Sequence, residues 1–297
     1  MIPKNNFSLI QNKLFMNYQK RSLYFSFVLL FLFLCNASSA QPEPAYGNNP
    51  AAGKYFSNNG VKIYYEIYGE GKPLVLLHGN GGSIKSRSDL IPEFAKKYKV
   101  IALDSRCHGK SGCPSQYLTY EQMAEDVYGL LQSLNIDSAF LWGHSDGAII
   151  GLILAIHHPE KVKKFLASGA NLRPDSTAVD PALFPLLDVL GKRVQNDSIL
   201  SKQFRLLVDQ PNIPVTDLEK IKSSVLVMAG DRDAIRNRHT LEIFEHIPNA
   251  LLCILPGTTH FVYHDRKKWF MEIMYDFFDN PPALATTAEV MIKSFGN

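Results

Sequence analysis

Six short runs constrain the fold of this chain more than any other feature. They are PLVLLHG (73–79), KVIALD (99–104), SAFLWG (138–143), KKFLASG (163–169), SVLVMAG (224–230) and ALLCILPG (250–257). Each is continuously apolar for three to six residues and stops at or just before Gly or Asp, the signature of strands buried on both faces. Helix-length segments with 3.6-residue periodicity separate them, such as Tyr120 to Leu134 and Asp146 to His157. Strand and helix in alternation imply a mostly parallel sheet covered on both faces by helices, with its ligand site at the carboxyl ends of the strands. Ahead of this pattern, KYFSNNGVKIYYEIYGEGKP alternates around SNNG and reads as an antiparallel hairpin.

The alternation fails once. Residues 172 to about 221 hold no convincing strand, several prolines and amphipathic pieces such as PALFPLLDVLGKRV, as expected of a helical cap inserted over the ligand edge of the sheet. No internal repeat interrupts the globular part.

The first forty residues follow a different logic. Lys20 and Arg21 precede SLYFSFVLLFLFLC, a run too short to span a bilayer comfortably, and small residues at Ser38 and Ala40 then mark a cleavage point. The expected organisation is a signal peptide over 1–40, a Pro- and Gly-rich linker over 41–53 and a globular domain over 54–297. An uncleaved anchor is the alternative, and Met16 is a second candidate start. The segment carries Lys4, Lys13, Lys20 and Arg21 and no acid, so the formal +3 of the whole chain becomes −1 for residues 41–297. A mature chain near neutrality has no nucleic-acid footprint. Export also admits disulfides. Of four cysteines, Cys35 leaves with the signal, Cys253 reads as a small core hydrophobe, and Cys107 and Cys113 are close enough to pair, an assignment left open at this point.

Where SAFLWG ends, Gly143-His144-Ser145-Asp146-Gly147 fits G-x-S-x-G between an expected strand and an expected helix. Glycines on either side permit a turn so tight that the serine hydroxyl is presented above the sheet, and the helix N-terminus behind it favours developing negative charge. In this context the chain resembles the α/β-hydrolase superfamily over residues 54 to about 280. The resemblance implies an eight-stranded, mostly parallel sheet and a catalytic triad in the order nucleophile, acid, histidine.

Carried onto this sequence, the triad is Ser145, Asp233 and His260. A serine hydroxyl at its free pKa is a poor nucleophile; a neutral imidazole accepts its proton and a carboxylate holds that imidazole in the right tautomer. In GDRD, Asp233 takes the family's usual acid position and Asp231 is expected to hold the turn. His264 falls where the last helix should begin, which leaves His260. LLHGNGG (76–82) matches the oxyanion loop, with the backbone amides of Asn80 and Asp146 as donors and Gly79 beside the substrate. LDSRCHGKSG (103–112) resembles a structural loop of the family, with Cys107 where glycine is usual. His78 is expected to pack a loop, and His108, His239 and His246 to lie on loops or helix surfaces. No H-E-x-x-H or Cys/His spacing points to zinc, and the expected reaction uses no cofactor.

GHSDGA, SGAN (168–171) and AGDRDAI (229–235) resemble the valacyclovirase, or biphenyl hydrolase-like, group. That likeness implies a small-molecule ester substrate and a role for Asp146 in receiving the ammonium group of an α-amino acid ester. The plain alternative makes Asp146 a first-turn acid contributing about 0.3–1 kcal/mol through the helix dipole. Other readings are a proline iminopeptidase-like amidase, cofactor-free haloperoxidase activity as a side reaction, and a ligand-binding protein without turnover. Ser145 itself argues against the dehalogenases and epoxide hydrolases of this fold, which need a carboxylate at the elbow. Oligomeric state leaves no trace in the sequence.

Overall fold

The computed structural model describes residues 46–114, 117–282 and 284–295. The segment expected to be a signal peptide and the start of the linker lie outside them. Eight strands form one sheet: β1 Gly53–Asn58, β2 Val61–Tyr68, β3 Lys72–Leu77, β4 Tyr98–Leu103, β5 Ala139–His144, β6 Val162–Ser168, β7 Ser224–Gly230 and β8 Ala250–Leu255. Their spatial order is β1-β2-β4-β3-β5-β6-β7-β8. β1 and β2 pair antiparallel, β2 joins β4 antiparallel, and every pair from β4 onward is parallel. The SNNG turn closes the hairpin with Asn59 and Gly60 at φ 47° and 77°, the positive values that match the twist of the flanking strands.

Helices cover both faces. Over one face lie α1 (Tyr120–Ser133) and α2 (Asp146–His157). The helix Asn237–His246 joins them and supplies Ile243 and Thr240 as buried residues. Against the other face pack Phe94 and the helix Lys267–Asp279, whose Phe270, Met274, Phe277 and Phe278 enclose Trp142 and Phe140 of β5. β5 is buried at every position, and its alternate residues feed the two cores: Leu141 on one side, Phe140 and Trp142 on the other.

Between β6 and β7 the chain leaves the sheet to form the helices α3 (Phe184–Val194) and α4 (Leu200–Asp209). They cross closely at Gly191, where a Cβ would fall 2.7 Å from the Phe204 ring. The way into this excursion is stapled to the loop after β7: Val179 bridges Ile235, the Asp180 amide donates to the Ala234 carbonyl over 2.9 Å, and the Arg236 amide donates to Ala178 over 2.8 Å.

Two sequence expectations need correction. His108 lies on a loop, as expected, though it is buried, whereas His239 is not on a helix surface but 1% exposed within the helix Asn237–His246. The His239 Nε2 accepts the Leu172 amide at 2.9 Å while its Nδ1 meets Glu242 at 2.7 Å. Cys253 is a free thiol only partly buried, since β8 is the edge strand and most of its residues are half covered.

The loop after β4 is held by a buried ion pair. Arg106 Nε and Nη2 each donate to Asp126 of α1 over 2.6 Å, both side chains being at most 4% exposed, and Asn58 of β1 adds a 3.0 Å bond to the same carboxylate. Removing one partner of such a pair leaves the other charged, buried and alone. Arg106→Ala is therefore expected to lower the unfolding free energy by about 3–5 kcal/mol, read from urea denaturation; a loss below about 1 kcal/mol, the range of exposed pairs, would contradict this account.

Candidate active site

The strand order reverses at β3, whose neighbours are β4 and β5, so the loops leaving β3 and β5 part to opposite faces and leave a crevice at their carboxyl ends. Ser145 sits there, between the last residue of β5 and the first of α2, at φ 55° and ψ −120°. A non-glycine residue rarely adopts such a backbone, and it persists only where the surroundings over-determine it. Here they do. A Cβ on Gly143 would collide with the Gly147 carbonyl, and one on Gly147 with the Leu77 carbonyl of β3, so strand and helix approach at backbone distance on both sides of the serine. The Ser145 amide donates to the Ser168 carbonyl at the end of β6 over 2.9 Å, and its carbonyl accepts from Ala148 in the first turn of α2 over 2.8 Å.

Asp233 and His260 arrive from the loops after β7 and β8. His260 Nδ1 and Asp233 Oδ1 are 2.6 Å apart, and the Asp233 side chain is wholly buried. The same carboxylate accepts the Ile235 amide at 2.9 Å and the Gly230 amide at 3.2 Å. Bonded through Nδ1, the imidazole keeps Nε2 for another partner. Its ring lies 4.8 Å from that of His144, the residue before Ser145, and edge-on to Phe261. Asp231 turns away, accepting the Thr258 amide at 3.2 Å and so tying the β7 loop to the β8 loop, as expected of it. His264 is largely exposed on the single helical turn Val262–Asp265, paired only with Asp265.

The loop after β3 brings Gly79 and Asn80 to the serine. A Cβ on Gly79 would lie 3.0 Å from the Ser145 Cβ. Asn80 Nδ2 donates to Asp146 Oδ2 over 2.9 Å and to the Gln203 carbonyl of α4 over 3.0 Å. Asp146 is 3% exposed, and Tyr120, itself buried, stands beside it. Burial raises its carboxyl above the ordinary range, opposed by Asn80, by His108 and by Tyr120. The sequence had offered Asp146 as an amine receptor or a helix-end acid; in the structure it is also the anchor of the Asn80 side chain, a contact between residues 66 positions apart that no local pattern announces.

Neutral, buried histidines hold the rest of this loop. His78, pushed down to about 3 by burial, contacts the Gly79 carbonyl through Nδ1 at 2.8 Å and accepts the Ser105 amide at Nε2 at 3.0 Å. His108, also lowered by burial, accepts the Gly81 amide at 3.1 Å. Cys107 and Cys113 are joined by a disulfide, and Cys107 has φ 63°, the left-handed conformation that explains why glycine is usual there. Among the described residues no group of three or more His, Cys, Asp or Glu side chains could hold a metal ion, and no helix is long and apolar enough to cross a membrane.

The doubly wound sheet, the strained serine between two close-packed backbones and the Asp–His pair define a hydrolase of the α/β-hydrolase fold. The family's sequence profile, described as the alpha/beta hydrolase fold, matches residues 72–193. Among curated relatives, the uncharacterized hydrolase YugF of Bacillus subtilis is 27% identical, across 75% of this chain and 96% of its own length. The mouse (Mus musculus) serine hydrolase BPHL is 26% identical, across 80% of this chain and 90% of its own. Among solved structures, Est816, described as an N-acyl homoserine lactone degrading enzyme, superposes with a TM-score of 0.66 at 25% identity, covering 75% of this chain and all of that one.

One position tests the His260 placement directly. Gly169 follows β6 at φ +65°, and a Cβ there would stand 2.7 Å from His260 Cε1 and 2.9 Å from Nδ1. Gly169→Ala should push the imidazole out of line, and a misplacement of about 1 Å costs on the order of 10²-fold in rate. Labelling of Ser145 by a fluorophosphonate, timed against wild type, is the measurement; an unchanged labelling rate in a folded Gly169→Ala variant would show that His260 does not act on Ser145.

Proposed function

We propose that the protein is an exported serine hydrolase that cleaves carboxylic esters of small molecules through an acyl-enzyme. The observation that carries this reading is the 2.6 Å bond between His260 and Asp233 beside a serine held at φ 55°. Ser145 Oγ attacks the acyl carbon and passes its proton to His260 Nε2. Asp233 keeps Nδ1 protonated and stabilises the imidazolium. The oxyanion takes hydrogen bonds from the backbone amides of Asn80 and Asp146, the second at the N-terminus of the twelve-residue helix α2. His260 then returns the proton to the leaving alcohol, and water repeats the path to release the acid. Every step uses groups of this chain, with no cofactor.

A serine hydrolase among the relatives and an N-acyl homoserine lactone degrading enzyme among the structural neighbours support serine-dependent hydrolysis of a small acyl compound. Within that class, α-amino acid esters are the narrower reading, with Asp146 receiving the ammonium group. The same carboxylate already takes a donor from Asn80, so an incoming amine would have to share or displace it. Export is supported by the basic-then-apolar segment ending at Ala40 and by the Cys107–Cys113 disulfide, a bond that persists in oxidising compartments. Mass analysis of the protein from cell fractions should find the mature chain outside the cytosol with Gln41 first.

The activity is tested with an α-amino acid ester and its N-acetylated twin. Both should turn over, and Ser145→Ala should lower kcat/KM by at least about 10³-fold. A clear preference for the free amine would narrow the substrate to aminoacyl esters; equal rates would make the protein a general carboxylesterase. No turnover and no fluorophosphonate label on Ser145 would instead favour a ligand-binding role.

A further inference from the structure

The oxyanion loop of this chain has an odd construction. Gly79, Gly81 and Gly82 surround Asn80, so three of four consecutive residues have no side chain with which to pack, and Gly81 is at φ +66°. A glycine-rich loop has the largest entropy to lose on ordering, and an oxyanion donor is useful only if it needs no reorganisation when charge develops. The position of the Asn80 amide must therefore be fixed by contacts from outside the loop. Asn80 supplies them through its own side chain.

Both hydrogens of that carboxamide are engaged: one partner is Asp146 Oδ2 at the start of α2, the other the backbone carbonyl of Gln203 in α4. Neither partner is loose. Asp146 is buried, with Tyr120, the buried first residue of α1, beside it. Gln203 is 8% exposed, and its Nε2 donates over 2.7 Å to the carbonyl of Cys107, inside the loop closed by the disulfide. His108 in that loop takes the Gly81 amide. The cap, the disulfide loop and the nucleophile helix thus converge on one amide side chain between the glycines.

From this juxtaposition we infer that Asp146 and Gln203 are positioning residues that act on the reaction through the Asn80 side chain, setting the backbone amide of Asn80 in the oxyanion hole and making the rate depend on the seating of α4. The inference rests on the serine-hydrolase reading. It also gives the carboxylate behind the nucleophile a function that needs no amine on the substrate. A charge so close to a developing oxyanion is tolerable because the Asn80 carboxamide already engages it.

The consequences separate from those of amine recognition. Asn80→Ala leaves the backbone amide in place but frees the loop, so kcat should fall by about 10- to 100-fold, short of the 10²–10³ expected for losing an oxyanion donor outright, with KM nearly unchanged. Asp146→Ala should match it, Asp146→Asn should recover most of the rate because its amide oxygen can still accept from Asn80, and the Asn80→Ala/Asp146→Ala double variant should be no slower than the slower single one. Gln203→Ala, which cuts only the tie to Cys107, should lower kcat by a smaller factor in the same direction. All these losses should fall equally on the free-amine ester and its N-acetylated twin.

Additive losses in the double variant would overturn the inference. So would a loss at Asp146 confined to the free-amine ester, which would make the carboxylate an ammonium site. Thermal unfolding of each variant identifies any that do not fold, in which case Asp146→Asn and Gln203→Ala carry the comparison. Absence of fluorophosphonate labelling at Ser145 in the wild type would mark failure of the hydrolase reading itself, and the inference would fall with it.

Discussion

Everything in the crevice depends on how closely α2 approaches the ends of β3 and β5. At Gly143 and Gly147 backbone meets backbone, and a single methyl group at either position would separate strand from helix. That proximity forces Ser145 into its positive φ, and the Ser168 carbonyl of the adjacent β6 secures the amide so that the strain cannot relax by unwinding the first turn of α2. The cost of the strained residue, about 1–3 kcal/mol, is met by a β5 buried at all six positions between two hydrophobic cores. Stability sits in the sheet, and the reactive geometry is imposed on its rim.

Polar groups at that rim are satisfied by an unusual set of clamps. His78, His108 and His239 are all buried, all lowered in pKa first by loss of water, and each accepts a backbone amide from a loop distant in sequence. A neutral imidazole offers one donor and one acceptor at opposite edges of a rigid ring, so it can bridge two loops where a hydroxyl could satisfy only near neighbours. These residues tie the loops around the crevice to one another.

How much of this was legible in the sequence follows from the range of each interaction. The strands after β2 announce themselves because a strand buried on both faces must be apolar throughout, and G-x-S-x-G because the turn needs glycine at fixed offsets. Asp233 and His260 were found by family order, and the structure brings them together. The burial of His108 and His239 and the role of Asn80 were not legible: each depends on a partner far away in sequence, such as Leu172 for His239 or Gln203 for Asn80, and a lone histidine or asparagine in a loop carries no periodicity. For Asn80 the run of glycines around it was the available signal, since a loop that cannot pack must be tied by the one side chain it has. Cys107 and Cys113 were recognised as close enough to pair, whereas the left-handed backbone at Cys107 needed the coordinates.

Residues 46–52, ahead of the first strand, bear on where the folding unit begins. Glu66 in β2 is fully buried, and its two oxygens are shared among the Gly47 and Asn49 amides and the hydroxyls of Tyr64 and Tyr68. Half of that solvation comes from a stretch with no regular structure. A chain trimmed back to Gly53 would keep every strand and helix yet leave a buried carboxylate short of two charge-assisted bonds, an omission costly enough to weaken the hairpin edge of the sheet. A unit that keeps Glu66 fully bonded therefore includes Gly47 onward, and processing after Ala40 would leave both amides on the mature protein.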